Sequence, residues 1–176
     1  MRFAIIEKPF AVFEIEPLAD HHDRTSFECG EPALDRYLRE TAMQHGRRDL
    51  ARTWVLVGTD DPARILAYCT LTLCSIIAMD LPAVIAKRLP RTLPGLKLGR
   101  LAVDRISQGH GHARRLIIRV FEETVSIADR AGGYALFVDA KHDGVVPFYV
   151  GYGFTPLVSQ PLTLFLPTAS IRKLLE

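Results

Sequence analysis

Two hydrophobic rhythms divide the chain. Alternation every second residue, or a short all-apolar run, predicts strands over Phe10–Leu18, Thr53–Thr59, Ile65–Ile76, Leu96–Val103, Tyr134–Ala140, Phe154–Val158 and Leu162–Leu166. Spacing of three and four predicts helices. In Glu31–Gln44, Leu34, Tyr37, Leu38, Thr41 and Ala42 fall on one face, and Pro32 suits the first turn. In Gly111–Arg130 the stripe is Ala113, Leu116, Ile117, Val120, Phe121, Thr124, Ile127 and Ala128, and Gly132-Gly133 ends it. Short helices are predicted over Gly144–Gly151 and Thr168–Leu175. Asp60-Asp61-Pro62 reads as the turn of a hairpin. Pro82 to Gly95, with Pro90 and Pro94 between them, reads as a long connection holding a short helix capped by Asp80.

Strands alternating with helices predict an α/β (α+β) domain: a mixed central sheet of about six to seven strands with helices on both faces. Strand Leu96–Val103, the long helix and strand Tyr134–Ala140 form a β-α-β crossover, expected to be right-handed. Nothing divides the chain, so residues 1–176 are expected to form one domain. Hydrophobic residues at 48% and charged residues at 24% are a globular balance, too apolar for disorder. No apolar run is long enough to span a bilayer, and the first residues read as mature protein. Cys29, Cys69 and Cys74 form no metal spacing and fit a reducing cytoplasm.

The net charge of +2 decides nothing about nucleic acid, but its distribution is uneven. Arg47, Arg48 and Arg52 form one basic cluster; Lys87, Arg88, Arg91, Lys97 and Arg100 form another. Either could be a solvated surface or a phosphate-binding one.

The chemistry concentrates between Leu98 and Ala113. There a strand ends, a loop turns through Gly109 and Gly111, and the long helix starts. The glycines let backbone approach a ligand, and a helix start offers unpaired N–H groups and a positive dipole. This arrangement can hold a pyrophosphate. It is neither GxxxxGK[ST] nor GxGxxG, since position 114 is Arg114. Taken alone it could also be an ordinary glycine turn. Arg114 and Arg115, ill-placed for the helix dipole, are either phosphate neighbours or solvent-exposed. His110 and His112 lack further clustered ligands, so no metal site is expected.

Gln108-Gly109-His110-Gly111-His112-Ala113 matches the Q/R-x-x-G-x-G/A signature of the GCN5-related N-acetyltransferases through Gln108, Gly111 and Ala113. One helix and one strand later, Phe148-Tyr149-Val150-Gly151-Tyr152-Gly153-Phe154 matches that family's FYxxxGF pattern. Phe27-Glu28-Cys29-Gly30, Leu34-Asp35-Arg36-Tyr37-Leu38, Leu98 to Asp104, Asp139-Ala140-Lys141 and Leu162 to Pro167 resemble the branch of the family that acts as bacterial toxins. The sequence departs from that pattern at Val145, Val146 and Pro147. Pro147 fits only a first helical turn, which moves the start of that helix towards His142–Gly144.

The resemblance implies acetyl-coenzyme A as co-substrate, held by Leu101, Ala102 and Val103 of the strand and by Gln108, Gly109, His110, Gly111, His112, Ala113 and Arg114 of the loop. It implies Tyr149 as the acid facing the coenzyme sulfur, and no metal. It implies aminoacyl-tRNA as acceptor, with Arg47, Arg48, Arg52, Arg91 and Lys97 as tRNA contacts. A ribbon-helix-helix antitoxin, a homodimer and a cytoplasmic, membrane-free location are expected on the same ground. The residues themselves leave other functions open: a housekeeping acetyltransferase for a polyamine, amino acid or antibiotic, or a coenzyme-binding module without catalysis. No general base is obvious, with Glu28, Asp104 and Asp139 unplaced. An α-amine, titrating near 7.7–8, needs a base less than a lysine does.

Overall fold

The computed structural model describes residues 12–176. Within them a seven-stranded mixed sheet runs in the order β1-β2-β3-β4-β5-β7-β6. Strand β1 (Phe13–Pro17) pairs antiparallel with β2 (Arg52–Gly58), which pairs with the 17-residue β3 (Asp61–Ile77). Phe10 and Ala11, expected in the first strand, lie outside the described residues. The hairpin turn is Thr59-Asp60; Asp61 and Pro62 already belong to β3. Strand β4 (Thr92–Val103) pairs antiparallel with β3 along its length and parallel with β5 (Ala135–Asp139). Strands β6 (Thr155–Pro156) and β7 (Thr163–Pro167) finish the sheet, β7 against β5.

Strand β4 starts four residues earlier than its hydrophobic pattern predicts and takes in Pro94 and Gly95. Pro94 is tolerated because the β4–β5 ladder begins only at Gly95↔Ala135, so its missing N–H leaves no gap there. Gly95 has a packing reason: a Cβ would come within 2.6 Å of the Phe137 ring.

The first helical region is α1 (Pro32–Arg36), a π-helical turn (Tyr37–Thr41) and α2 (Ala42–Arg47), three residues longer than expected. Tyr37, Leu38 and Ala42 are buried from it, with Phe27, Val55 and Tyr68, against one sheet face. On that same face, nearer β5 and β7, a second cluster gathers Phe137, Phe165 and Leu157 beneath α3 (Ala83–Ala86). Asp80 does not cap α3. It ends a 3-10 turn, and the residue before α3 is Pro82, which has no side chain able to cap.

The opposite face belongs to α4 (His112–Ala131). Leu116, Ile117, Val120 and Phe121 pack on Leu96, Leu98, Leu136 and Val138. Gly132, at φ 83°, ends the helix. A 3-10 turn at Asp143–Val145 leads into α5 (Val146–Val150), where Pro147 falls in the first turn. The C-terminal helix α6 (Thr168–Leu175) buries Ile171 in the same cluster. None of the described helices is long and apolar enough to cross a membrane.

Candidate active site: a forked sheet beneath a helix start

The last β4–β5 pair is Leu98↔Val138, but β4 continues to Val103. The bulge that starts this divergence is Gly99, the extra residue between Leu98, opposite Leu71, and Arg100, opposite Thr70. Beyond it β4 keeps β3 on one edge and leaves the other edge open. Asp104 donates its N–H to Leu66 O at 2.9 Å on the β3 side. Alternation then turns the N–H and C=O of Leu101 and Val103 towards the open edge, and those of Ala102 towards β3. Of the three strand residues expected to hold the coenzyme, the backbone of two faces the fork. Ala102 instead buries its side chain with Phe27 and Tyr68.

The loop above the fork is held from below. Gln108 Nε2 donates to Val103 O at 3.1 Å and Cys29 O at 3.0 Å. Its side chain therefore fastens the loop to the protein. Arg105 N–H donates to Glu28 O at 2.7 Å, and Glu28 N–H donates to Asp104 Oδ1 at 3.0 Å. Cys29 N–H is accepted by the buried Asp35 of α1 at 2.9 Å. Phe27–Gly30 is thus a strap between α1 and the loop, a role the sequence reading missed. It also explains two of the unplaced carboxylates. Asp104 is buried and anchors the strap, with Arg64 at 3.6 Å; Glu28 is exposed beside Arg105.

Gly109 and Gly111 have φ of 80° and 77°, and a Cβ on either would meet nothing within 4 Å. The glycines are required by backbone conformation, not by crowding. Gly111 precedes α4 and brings no side-chain cap, so the N–H groups of the first turn point out of the helix without intrahelical partners. His110 and Arg114 are exposed, and Ala113 is half-buried. His110 Nδ1 lies 3.1 Å from Ser107 O. His112 is buried edge-on to Phe13, its Nδ1 without a hydrogen-bond partner among the described residues. Burial first, then Arg115 and His110, hold its pKa below the usual imidazole value. Only the backbone of His112 faces the loop's open side.

Tyr149 of α5 is buried in the cluster that includes Leu98, Val138 and Ala140 at the fork, its ring edge-on to Phe148 and Phe154. Burial pushes the phenol up to about 12. The arrangement can grip a diphosphate and hold an extended chain along an open strand edge, with a buried neutral phenol in the core cluster on the same face.

The basic residues divide. Arg47 is paired with Asp20 and Arg52 with Asp49, both on the surface; Arg48 and Arg91 are exposed. Lys97 is half-buried and paired with Asp139, on the face away from α4. Among the described residues one histidine–carboxylate group stands apart: Glu16, His21 and His22 bring ligand atoms within 4.8 Å of one another. His22 Nδ1 accepts the Ala19 N–H at 2.9 Å, so Nε2 carries the proton and donates to Glu16 at 2.7 Å. That leaves no lone pair on His22 for a metal.

No family model matches the chain. It is 34% identical over 158 residues to the tRNA-acetylating toxin of Mycobacterium tuberculosis (strain ATCC 25618 / H37Rv), covering 90% of this chain and 93% of the relative. Among solved structures, a tyrosine-to-phenylalanine mutant of KacT superposes with a TM-score of 0.87 at 34% identity, covering 92% of this chain and 98% of that one. AtaT complexed with acetyl-methionyl-tRNAfMet gives 0.86 at 32% identity, covering 94% and 100%. A mutant AtaT bound to the C-terminus of its antitoxin AtaR and acetyl-CoA gives 0.79 at 31% identity, covering 93% and 98%. Fold, fork and relatives agree: the chain belongs to the GCN5-related acetyltransferase toxins of bacterial toxin–antitoxin systems.

Proposed function

We propose that the protein transfers the acetyl group of acetyl-CoA to the α-amino group of aminoacyl-tRNA and thereby blocks translation. The observation that carries this reading is the fork: an open β4 edge at Leu101 and Val103, an uncapped helix start at Gly111, and a buried phenol at Tyr149 in the cluster around the fork's base. The N–H groups of the α4 first turn and the Gly109–Gly111 loop receive the diphosphate, with Arg114 beside them. The Leu101 and Val103 backbone holds the pantetheine, and an N–H there polarises the thioester carbonyl. The neutral α-amine attacks that carbon, forming the C–N bond. The C–S bond then breaks, the thiolate takes the Tyr149 proton, the amine releases one proton to solvent, and the Tyr149 phenolate takes one back. No base is assigned; an α-amine near its pKa is partly neutral at working pH.

The M. tuberculosis relative, and AtaT with its acetylated tRNA, support the acceptor. Arg48 and Arg91 are exposed and pair with no acid among the described residues, which suits them to tRNA phosphates, and Arg47 and Arg52 can exchange their exposed partners for them. The antitoxin bound to AtaT supports an antitoxin for this chain. We assign it to the ribbon-helix-helix class, and further assign one domain over residues 1–176, a homodimer and a cytoplasmic site of action. Exposed Leu73, Ile77, Met79 and Val84 offer apolar surface for self-association.

Incubating the protein with labelled acetyl-CoA and total charged tRNA tests the function. Label that is recovered on tRNA, and lost when the aminoacyl ester is hydrolysed, is the expected outcome. Label on free polyamines or amino acids, with none on tRNA, would replace this reading with a small-molecule acetyltransferase.

A further inference from the structure

On the face away from α4, beside the base of the fork, lies a cavity of about 340 Å³. Side chains alternate along β5: Leu136 and Val138 go to the α4 side, Phe137 and Asp139 to the other. Asp139 is the first β5 residue beyond the last β4–β5 pair, so it stands at the base of the fork. Lys97 of β4 is paired with it, and Thr163 Oγ1 donates to Asp139 Oδ1 at 2.9 Å. Behind this rim Phe137, Leu157, Ile76, Cys74 and Leu162 make an apolar wall, and Ser75, Asp80 and Gln160 complete the lining. Phe137 and Leu157 are almost fully buried.

We infer that this cavity receives the aminoacyl side chain of the acceptor and selects for an uncharged, apolar residue of medium to large size. The inference rests on the aminoacyl-tRNA reading above. The coenzyme loop and Tyr149 lie on the α4 side, so a thioester threaded through the fork exposes its carbonyl to the opposite side, where the cavity lies. The volume is at the small end of ligand cavities, about 300–1,000 Å³, which suits one amino-acid residue. A glycyl group leaves the apolar wall without a partner. A charged side chain buries its charge against Phe137 and Leu157, beside the paired Lys97 and Asp139, and an acidic one also meets the Asp80 carboxylate. The pairing has a second consequence. A lone carboxylate at the fork would hold the attacking amine protonated, whereas the Lys97–Asp139 pair has no net charge to do so.

The test compares kcat/KM across tRNAs charged with Gly, Val, Ile, Leu, Met, Phe, Asp, Glu, Lys and Arg. Apolar acceptors are expected to exceed charged ones and glycyl-tRNA by about 10–200-fold, the range a hydrophobic pocket achieves. Two variants shift charge preference in opposite directions. Asp139→Asn leaves Lys97 unpaired and raises aspartyl and glutamyl acceptors relative to methionyl. Lys97→Met leaves Asp139 unpaired and raises lysyl and arginyl acceptors. Cys74→Phe fills the cavity and moves preference towards glycyl. Acetyl-CoA affinity is expected to stay within about twofold in all three, which checks folding and the coenzyme site. A merely structural role for the pair would scale every acceptor alike, and that result overturns the inference. So does a wild-type protein that prefers glycyl or charged residues while still acetylating tRNA. If no charged tRNA is acetylated but free amines are, the parent reading fails and this one with it.

Discussion

Tyr149 shows how a single environment suits a group to the role proposed for it. Its ring is buried between Phe148 and Phe154, and burial alone pushes the phenol up to about 12. It therefore stays protonated at working pH and has a proton to donate. Tyr149→Phe keeps the ring and the packing, so acetyl-CoA affinity should be nearly unchanged. Turnover should fall about 10²–10⁴-fold, measured by release of coenzyme thiol, because only the proton is lost. His112 is the opposite case, a base kept neutral. Its folded pKa is depressed, first by burial and then by Arg115 and His110. Its contribution to stability is complete above the unfolded value of about 6.5 and is lost as pH falls below it. His112→Leu should remove that part of the acid sensitivity, and denaturant midpoints of variant and parent between pH 7 and pH 5 would show it. Parallel slopes for the two proteins would refute the claim.

The loop and strap between β4 and α4 form one mechanical element. Gln108 contributes two hydrogen bonds through one amide, to Val103 and Cys29. Neutral hydrogen bonds are worth about 0.5–1.5 kcal/mol each, so Gln108→Ala should weaken acetyl-CoA binding by about tenfold by calorimetry while leaving turnover at saturation close to normal. Gly111 tests the same element differently. Nothing surrounds its missing Cβ, so Gly111→Ala should cost only the left-handed conformation, about 1–2 kcal/mol, and Gly111→Asn should recover part of it. Gln108 and Gly111 were legible in the sequence because a signature depends on them. The strap was not, because Glu28–Asp104 and Cys29–Gln108 are contacts between residues far apart in the chain with no local pattern. The early start of β4 was hidden for a related reason. Pro94 and Gly95 carry turn chemistry, and only the late onset of the β5 ladder and the ring of Phe137 make them strand residues. The β3 start was misread through Pro62, whose strand position depends on its neighbours in the sheet. Periodicity alone located α4 and β5 to within a residue or two, since both bury a full stripe or run against the same core.

Across the whole molecule the question is how far the acceptor reaches from the fork. By register Arg52, Leu71 and Leu98 are level with its base. Thr92↔Ile77, next to Arg91, lies six residues farther down β3, or about 20 Å at about 3.3 Å per residue. A charged 3′ end entering at Asp139 meets Arg48 and Arg91 when its phosphates run back along the sheet, away from the open end of the fork. Sequence clustering offered these arginines and Lys97 alike as phosphate contacts; in the structure Lys97 is paired with Asp139. The difference predicts distinct phenotypes. Arg48→Ala and Arg91→Ala should weaken all charged tRNAs uniformly, and each should lower the slope of log affinity against log salt by about 0.7–1, one released counterion per phosphate contact. Lys97→Met should leave that slope unchanged and act on acceptor identity instead. Affinity measured from 50 to 200 mM salt would decide between them. A wild-type slope near zero would remove tRNA from this surface, and a slope lost through Lys97 would return that lysine to the phosphates.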